Sequence, residues 1–391
     1  MAVVVTGVGI VSALGIGVDK NLAAMREGKT GISAEPKLLR TTNKLPVGEL
    51  HLTNEELHDA LGISQKEHLS RTALLGILAV REAMSCVEID SSKRIGLVSS
   101  TSVGGMDLTE HFFEEFMQDS SKGRLRDVKM HDCAASTEAI AKHCGINGYT
   151  TTISTACSSA ANAVITGVKL LKHNIVDYVL VGGTDALSAF TLNGFKSLMI
   201  LDENKCRPFD ATRAGLNLGE GAGYLLLQRE EDASEYYCRV GGFANRNDAH
   251  HQTASSAEGN GAYLAMSDAL KMAGLNPESI SYINAHGTGT GNNDASESAA
   301  FKRIFGESVP AFSSTKAFTG HTLAAAGGIE AVYSVLSIKM GCIFPNLNFN
   351  TPIPEYGLVP VSTYMENVEV NNVLTNSFGF GGNCSSLIFT R

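Results

Sequence analysis

Proline is scarce in this chain, and no Cys-x-x-Cys pair occurs among its cysteines. Nine prolines stand against 40 glycines, which excludes proline-rich linkers and implies many tight backbone approaches. The cysteines Cys86, Cys133, Cys144, Cys157, Cys206, Cys238, Cys342 and Cys384 lack paired ligand spacing, so no transition-metal site is expected. A chain of 391 residues needs no disulfide framework either, and a reducing compartment follows. No like-charge block exceeds a few residues and no low-complexity tract appears, so no disordered tail is expected. A formal net charge of −9 and a pI near 5.7 argue against nucleic acid as the main partner, which would need a concentrated basic face. The apolar runs look far shorter than a membrane span, and the start runs straight into a strand pattern with no signal segment. The expectation is a soluble, cytoplasmic protein without membrane insertion.

What is present is core: 43% of the residues are hydrophobic and 18% charged. The length suits two or three domains, or one doubled unit. Short β-branched runs end in Gly, Ser or Thr and lead into helical patterns. Val3–Thr6, Ile95–Val98, Thr150–Ser154 and Tyr178–Val181 read as strands; Asp19–Arg26, Ser70–Met84 and Ser158–Lys172 read as helices. The second half repeats the grammar. Its strands are Tyr224–Gln228, Arg239–Ala244, Tyr282–Ala285, Ala311–Ser314, Val373–Ser377 and Ser385–Thr390. Its helices cover Asn260–Ala273, with Gly274 as C-cap, and about Leu323–Ile338. Alternating strands and helices predict an α/β architecture with buried strands. Two similar halves, residues 1–232 and 233–391, are expected in one body, joined by the acidic stretch Arg229–Tyr236.

Four segments carry chemistry. In Ile153-Ser-Thr-Ala-Cys-Ser-Ser-Ala-Ala161 a strand ends and a helix of small residues begins at Cys157. The positive end of the helix dipole would favour a thiolate there. A lone cysteine in this setting is more often a small hydrophobic core residue. Two histidines change that balance. His286 follows a strand in Asn284-Ala-His286-Gly-Thr-Gly-Thr290, and His321 follows another in Ser314-Thr-Lys316-Ala-Phe-Thr-Gly-His321. One Cys, two His and Lys316, each at a strand end, form a constellation suited to nucleophilic catalysis. In Asn376-Ser-Phe-Gly-Phe-Gly-Gly-Asn383, glycines flank Phe380 and free the backbone to present N–H groups.

Taken in order, these segments resemble the β-ketoacyl-(acyl-carrier-protein) synthases of the I/II type. So do Val5-Thr-Gly-Val-Gly-Ile-Val-Ser-Ala-Leu-Gly15, Arg207-Pro-Phe-Asp210 and Leu218-Gly-Glu-Gly-Ala-Gly223. The resemblance covers essentially the whole chain. It implies the thiolase fold, with two βαβαβ-type halves in a five-layered αβαβα sandwich. It also implies a homodimer built around the strand before the nucleophile, with a heterodimer beside a synthase-like subunit as the alternative. It assigns Cys157 as the acyl-accepting nucleophile, and His286 and His321 as the pair that assists decarboxylation of malonyl carrier. Lys316 becomes an electrostatic support, the Cys157 and Phe380 N–H groups the oxyanion hole, and Phe380 also the gate of the acyl pocket. Val103 matches a position lining the acyl tunnel, and Thr288 and Thr290 match residues binding the carrier's phosphopantetheine. Asn284, Glu297, Glu330, Asn376 and Ser377 resemble a structural monovalent-cation site of some relatives; no other cofactor is implied. Because acyl carrier proteins are acidic, a local basic patch is expected from Lys66, Arg71, Arg124, Arg126, Lys129 and Arg207.

The chain departs from the family pattern in three places. Gly289 stands where Ser is frequent, Gly291-Asn-Asn293 where Pro is common, and Asn383 is followed by Cys384-Ser385 rather than the usual Thr-Asn order; tryptophan is absent as well. These leave the pathway open between fatty acids and polyketides or aryl polyenes. A thiolase-like enzyme acting on acyl-CoA and a non-catalytic chain-length-factor subunit are the competing readings. The first expects a second catalytic Cys where His321 stands, and the second usually lacks the nucleophile.

Overall fold

The computed structural model describes residues 1–391. Ten strands form its main sheets. They are β1 (Val3–Ser12), β2 (Ile95–Ser100), β3 (Thr150–Ile153), β4 (Tyr178–Asp185), β5 (Gly221–Arg229), β6 (Cys238–Asn247), β7 (Tyr282–Asn284), β8 (Ala311–Ser313), β9 (Asn372–Gly379) and β10 (Asn383–Thr390). The helices that position the site are α1 (Arg71–Ser85), α2 (Met106–Gln118), α3 (Ser159–Lys172), α4 (Ala189–Ser197), α5 (Asn260–Ala273), α6 (Gly291–Phe305) and α7 (Ala326–Met340).

The sheet order is β3-β2-β4-β5-β1 in the first half and β8-β7-β9-β10-β6 in the second. Ranked by sequence within each half, the order is the same. So is the polarity: the first three positions are parallel, and the last two pairings are antiparallel. The doubling that the residue pattern suggested is therefore present in the topology. The two sheets meet where β1 pairs β6 through Val4–Arg239 and Val5–Cys238.

Side-chain period explains the layers. Along β5, Leu225 and Leu227 point into the largest core, and Tyr224 and Leu226 into another. That largest core holds α3 and α7 between the two sheets. The outer faces are covered by α1 on the first sheet and α5 on the second. These are the five layers of the thiolase fold. A register shift between Val5 and Gly7 turns β1 by one residue, so Val8 and Ile10 rejoin the central core. Gly9 faces α1, and a Cβ there would lie 1.9 Å from the Ala79 carbonyl oxygen; only glycine lets helix and strand approach so closely.

One apolar stretch, Leu323–Met340, has the length and hydropathy to cross a membrane, contrary to the expectation that none would. It is 89% buried within the body, because α7 is flanked by a sheet on either side and is apolar all round. Helix α2 was not anticipated. None of its residues is buried, and Phe113, Phe116 and Met117 are exposed.

Candidate functional site

Cys157 sits at the turn from β3 into α3, buried. The turn is strained: Ala156 has φ 53°, a conformation that side chains other than glycine adopt at a cost. The end of β9 packs against it. A Cβ on Gly379 would lie 2.9 Å from the Thr155 carbonyl oxygen and 3.1 Å from the Cys157 nitrogen, so the approach requires glycine. It brings the Phe380 N–H onto the Cys157 sulfur, beside the N–H of Cys157 itself. The Phe380 ring stacks on Phe195 of α4, with centroids 5.9 Å apart and planes 16° apart.

Burial raises the Cys157 thiol to about 11, against the opposing pull of Lys316 and the Phe380 N–H. Burial thus opposes the thiolate that the helix terminus was expected to favour.

His286 and His321 are buried with ring centroids 5.5 Å apart and planes at 85°. Their hydrogen bonds fix both tautomers. The Leu323 N–H donates to His321 Nδ1 at 3.1 Å, so the proton of the neutral ring is on Nε2. Lys316 Nζ, which can only donate, lies 3.2 Å from His286 Nδ1, with the same consequence. Burial, reinforced by Lys316, holds both imidazoles well below their ordinary range. Two neutral rings thus hold their Nε2–H groups as donors, and neither is free to act as a base.

Lys316 is buried and has three acceptors: the His286 carbonyl oxygen at 2.5 Å, His286 Nδ1, and Glu330 Oε1. Burial still raises the Glu330 carboxyl to about 7, though Lys316 opposes it. Glu297, from α6, receives the N–H groups of His286 and Gly287 at 3.0 and 2.9 Å and the Asn376 amide at 3.0 Å. It thereby fixes the turn that carries His286. Behind these groups, both side-chain polar atoms of Asn284 and Glu330 Oε2 are buried without a hydrogen-bond partner. Ser377 is buried against α7, where a Cβ on Gly327 would meet its Oγ at 2.7 Å.

Cys157, His286, His321, Thr288, Thr290 and Phe380 line one cleft that opens to solvent. The Thr288 and Thr290 hydroxyls lie 2.9 Å apart, and Thr290 also caps α6. Val103 does not line this cleft; its loop is tied to the Asp185 carboxylate through the Ser102 and Val103 N–H groups. The sequence reading missed Phe195, Met199 and the segment Gln252–Ser255, all of which line the cleft. That segment is tethered by Asn292, which exchanges two hydrogen bonds with the Ser255 backbone. These residues lie on no recognisable motif, so only the fold reveals them.

The basic patch needs correction at Arg71. This residue is buried and gives two hydrogen bonds to Glu220 and others to the Leu50 and Leu52 carbonyls. It is an internal clamp and cannot meet a carrier. Arg207 is half-buried and paired with Asp202 at 2.8 Å. Lys66, Arg124, Arg126 and Lys129 are exposed.

Two family models match the chain. "Beta-ketoacyl synthase, N-terminal domain" covers residues 1–233 and "Beta-ketoacyl synthase, C-terminal domain" covers 237–350. The chain is 32% identical to 3-oxoacyl-[acyl-carrier-protein] synthase 2 of Staphylococcus aureus (strain COL) over 408 residues, covering 100% of this chain and 98% of that one. Among solved structures, the ishigamide ketosynthase/chain length factor superposes with a TM-score of 0.92 at 28% identity, covering 100% of this chain and 98% of that one. A ketosynthase complexed with its type II polyketide acyl-carrier protein and bound to a hexaketide gives a TM-score of 0.88 at 27% identity, covering 100% and 99%.

Proposed function

The chain belongs to the β-ketoacyl synthase family, a group of acyltransferase-type condensing enzymes, and from that premise we propose that it is a 3-oxoacyl-[acyl-carrier-protein] synthase. It condenses malonyl carrier with an acyl group held as a thioester on Cys157, in fatty acid or polyketide and aryl-polyene-type synthesis. One observation carries the reading: the nucleophile and two neutral imidazoles line a single cleft.

In the loading step, Cys157 Sγ attacks the acyl thioester of the carrier's phosphopantetheine. The oxyanion forms opposite the Cys157 and Phe380 N–H groups. The carbon–sulfur bond to the carrier breaks, and the proton lost by Cys157 ends on the departing carrier thiol. In the second step malonyl carrier loses carbon dioxide, and the electron pair moves onto the thioester oxygen. The two Nε2–H groups meet that developing charge, where each donor is worth a factor of about 10²–10³. The enolate carbon then attacks the Cys157 thioester, the carbon–sulfur bond to Cys157 breaks to release the 3-oxoacyl carrier, and the freed thiolate takes up a proton from solvent, the first having left with the carrier thiol. Thr288 and Thr290 border the path of the phosphopantetheine, and Phe380 gates the acyl pocket; Val103, outside the cleft, is assigned to the acyl tunnel by the family resemblance alone. Residues 1–232 supply the nucleophile, and 233–391 supply the histidines, Lys316 and the glycine loop.

The unpartnered Asn284 and Glu330 oxygens, with Glu297, Asn376 and Ser377, are oxygen donors of the kind a hard monovalent cation takes. Such an ion would brace the backs of the catalytic turns. The acidic acyl carrier protein is the expected partner. Strand β3 is the free edge of its sheet, and a free edge invites pairing. A second copy, or a synthase-like subunit, is the partner we assign to it. Eight unpaired cysteines suit a reducing cytoplasm. A thiolase-like chemistry is less well served. Cys384 does line the cleft, but burial raises its thiol to about 12, and Asp248 and Glu297 add to the shift.

Intact-protein mass spectrometry tests the assignment. The wild type gains one acyl mass from acyl carrier, and Cys157→Ala gains none. His286→Ala and His321→Ala keep the adduct but lose carbon dioxide release. An adduct that survives on Cys157→Ala sinks the proposal.

A further inference from the structure

The turn that presents the Phe380 N–H, Phe380–Gly382, is closed by the strand pair Gly379–Asn383. The Asn383 side-chain oxygen is surrounded by donors from elsewhere in the fold. Ser158 Oγ lies 2.7 Å away, Asn162 Nδ2 3.1 Å and Asn245 Nδ2 2.6 Å. Ser158 follows the nucleophile directly, and Asn162 stands in the first turn of α3. Asn162 also donates to Thr155 Oγ1 at 2.9 Å, two residues before Cys157. Asn245 belongs to β6, and its second amide hydrogen is shared between Asn162 Oδ1 and Ser385 Oγ at 2.9 and 2.8 Å. One acceptor therefore ties the nucleophile turn, the central helix and two strands of the second sheet together.

We propose that Asn383 is a positioning residue that holds the Phe380 N–H against the reacting carbonyl at Cys157, an inference that rests on the condensing-enzyme reading above. The physical reason is geometric. An oxyanion donor works only when it lies within hydrogen-bond distance of the charge as it forms. The glycines on either side of Phe380 leave its turn free to shift. Gly379 touches the Cys157 turn through backbone alone, so side-chain bonds must come from the next anchored residue, Asn383. The group needed there is an acceptor.

The role separates the two half-reactions. Acyl transfer to Cys157 depends on the Phe380 N–H, whereas decarboxylation of malonyl carrier depends on His286 and His321. Asn383→Ala should slow adduct formation roughly tenfold, less than outright loss of an oxyanion donor, with KM for acyl carrier unchanged. Carbon dioxide release from malonyl carrier should stay within about twofold of wild type, because its donors are elsewhere. Asn383→Asp keeps the acceptor among the same donors and should restore most of the transfer rate. Asn245→Ala removes one donor from a distant strand and should shift the ratio in the same direction, which keeps the test usable if Asn383→Ala does not fold. Equal losses of transfer and decarboxylation, or failure of Asn383→Asp to rescue, would mean a merely structural role and overturn the inference. An unchanged transfer rate in Asn383→Ala overturns it as well. A wild type that forms no adduct at all refutes instead the functional reading on which it rests.

Discussion

At the sulfur of Cys157 two influences compete. Burial disfavours the thiolate, and Lys316 and two N–H groups favour it; burial prevails and puts the thiol at about 11. The shift favours the protonated thiol over the thiolate. Alkylation by iodoacetamide reports this directly, because only the thiolate reacts. The rate for Cys157 should climb without levelling from pH 7 to about 10, whereas an ordinary thiol levels above about 8.5. Lys316→Met should lower the rate across that range, since Lys316 pulls the thiol down. A plateau near pH 7 would mean a preformed thiolate. The motifs disclosed this site as a set of residue types, and the cleft brings Cys157, His286 and His321 together. The protonation state was not legible, because it depends on dryness, and dryness is a property of the packed body. Arg71 teaches the same lesson. In the sequence it is one basic residue among others, and only Glu220, distant by 149 positions, makes it internal.

Among the elements, most strand and helix positions were readable to within a few residues, but the first strand, read as Val3–Thr6, runs on to Ser12 through its glycines. Asn260–Ala273 with its left-handed Gly274 cap matches the expectation residue for residue. Several helices escaped, Asn54–Leu61, Cys133–His143 and Ala189–Ser197 among them, and two others show why. Gly291–Phe305 opens with Gly-Asn-Asn, which reads as a turn, and its start is set by the Thr290 cap. Met106–Gln118 lies outside the layers with no buried face. The loop between β9 and β10 was read as a donor of N–H groups, and what makes it so is the missing Cβ of Gly379. Gly379→Ala should cost at least tenfold in adduct formation, since an oxyanion donor is displaced, and should also lower the melting temperature, because its Cβ has no room. Thermal melting alongside the transfer assay checks both. A fully active Gly379→Ala would mean that the turn at Cys157 yields more readily than its contacts indicate.

The whole molecule is acidic, yet its expected partner is acidic too. Attraction must then come from a local patch, because separated charges are screened beyond ~10 Å at ordinary salt. With Arg71 internal and Arg207 held by Asp202, the patch rests on the exposed Lys66, Arg124, Arg126 and Lys129. Arg124→Glu with Arg126→Glu should raise KM for acyl carrier severalfold. An acyl-pantetheine that lacks the carrier should feel much less, and added salt should narrow the gap in the wild type. If both substrates respond alike, the carrier docks elsewhere.

The repeated strand order places the residues of the site symmetrically. Third-ranked β3 delivers Cys157 to the start of α3, and third-ranked β8 leads through Lys316 and His321 to α7. The two central helices occupy matching places in the two halves, so Cys157 and His321 stand at equivalent points of the repeated topology, whereas His286 follows β7. A descendant that exchanged only Cys157 for another small residue would retain both sheets and both central helices. Loss of chemistry without loss of shape is a short evolutionary step for such a body, and it leaves a silent sibling still fit to stand beside an active one.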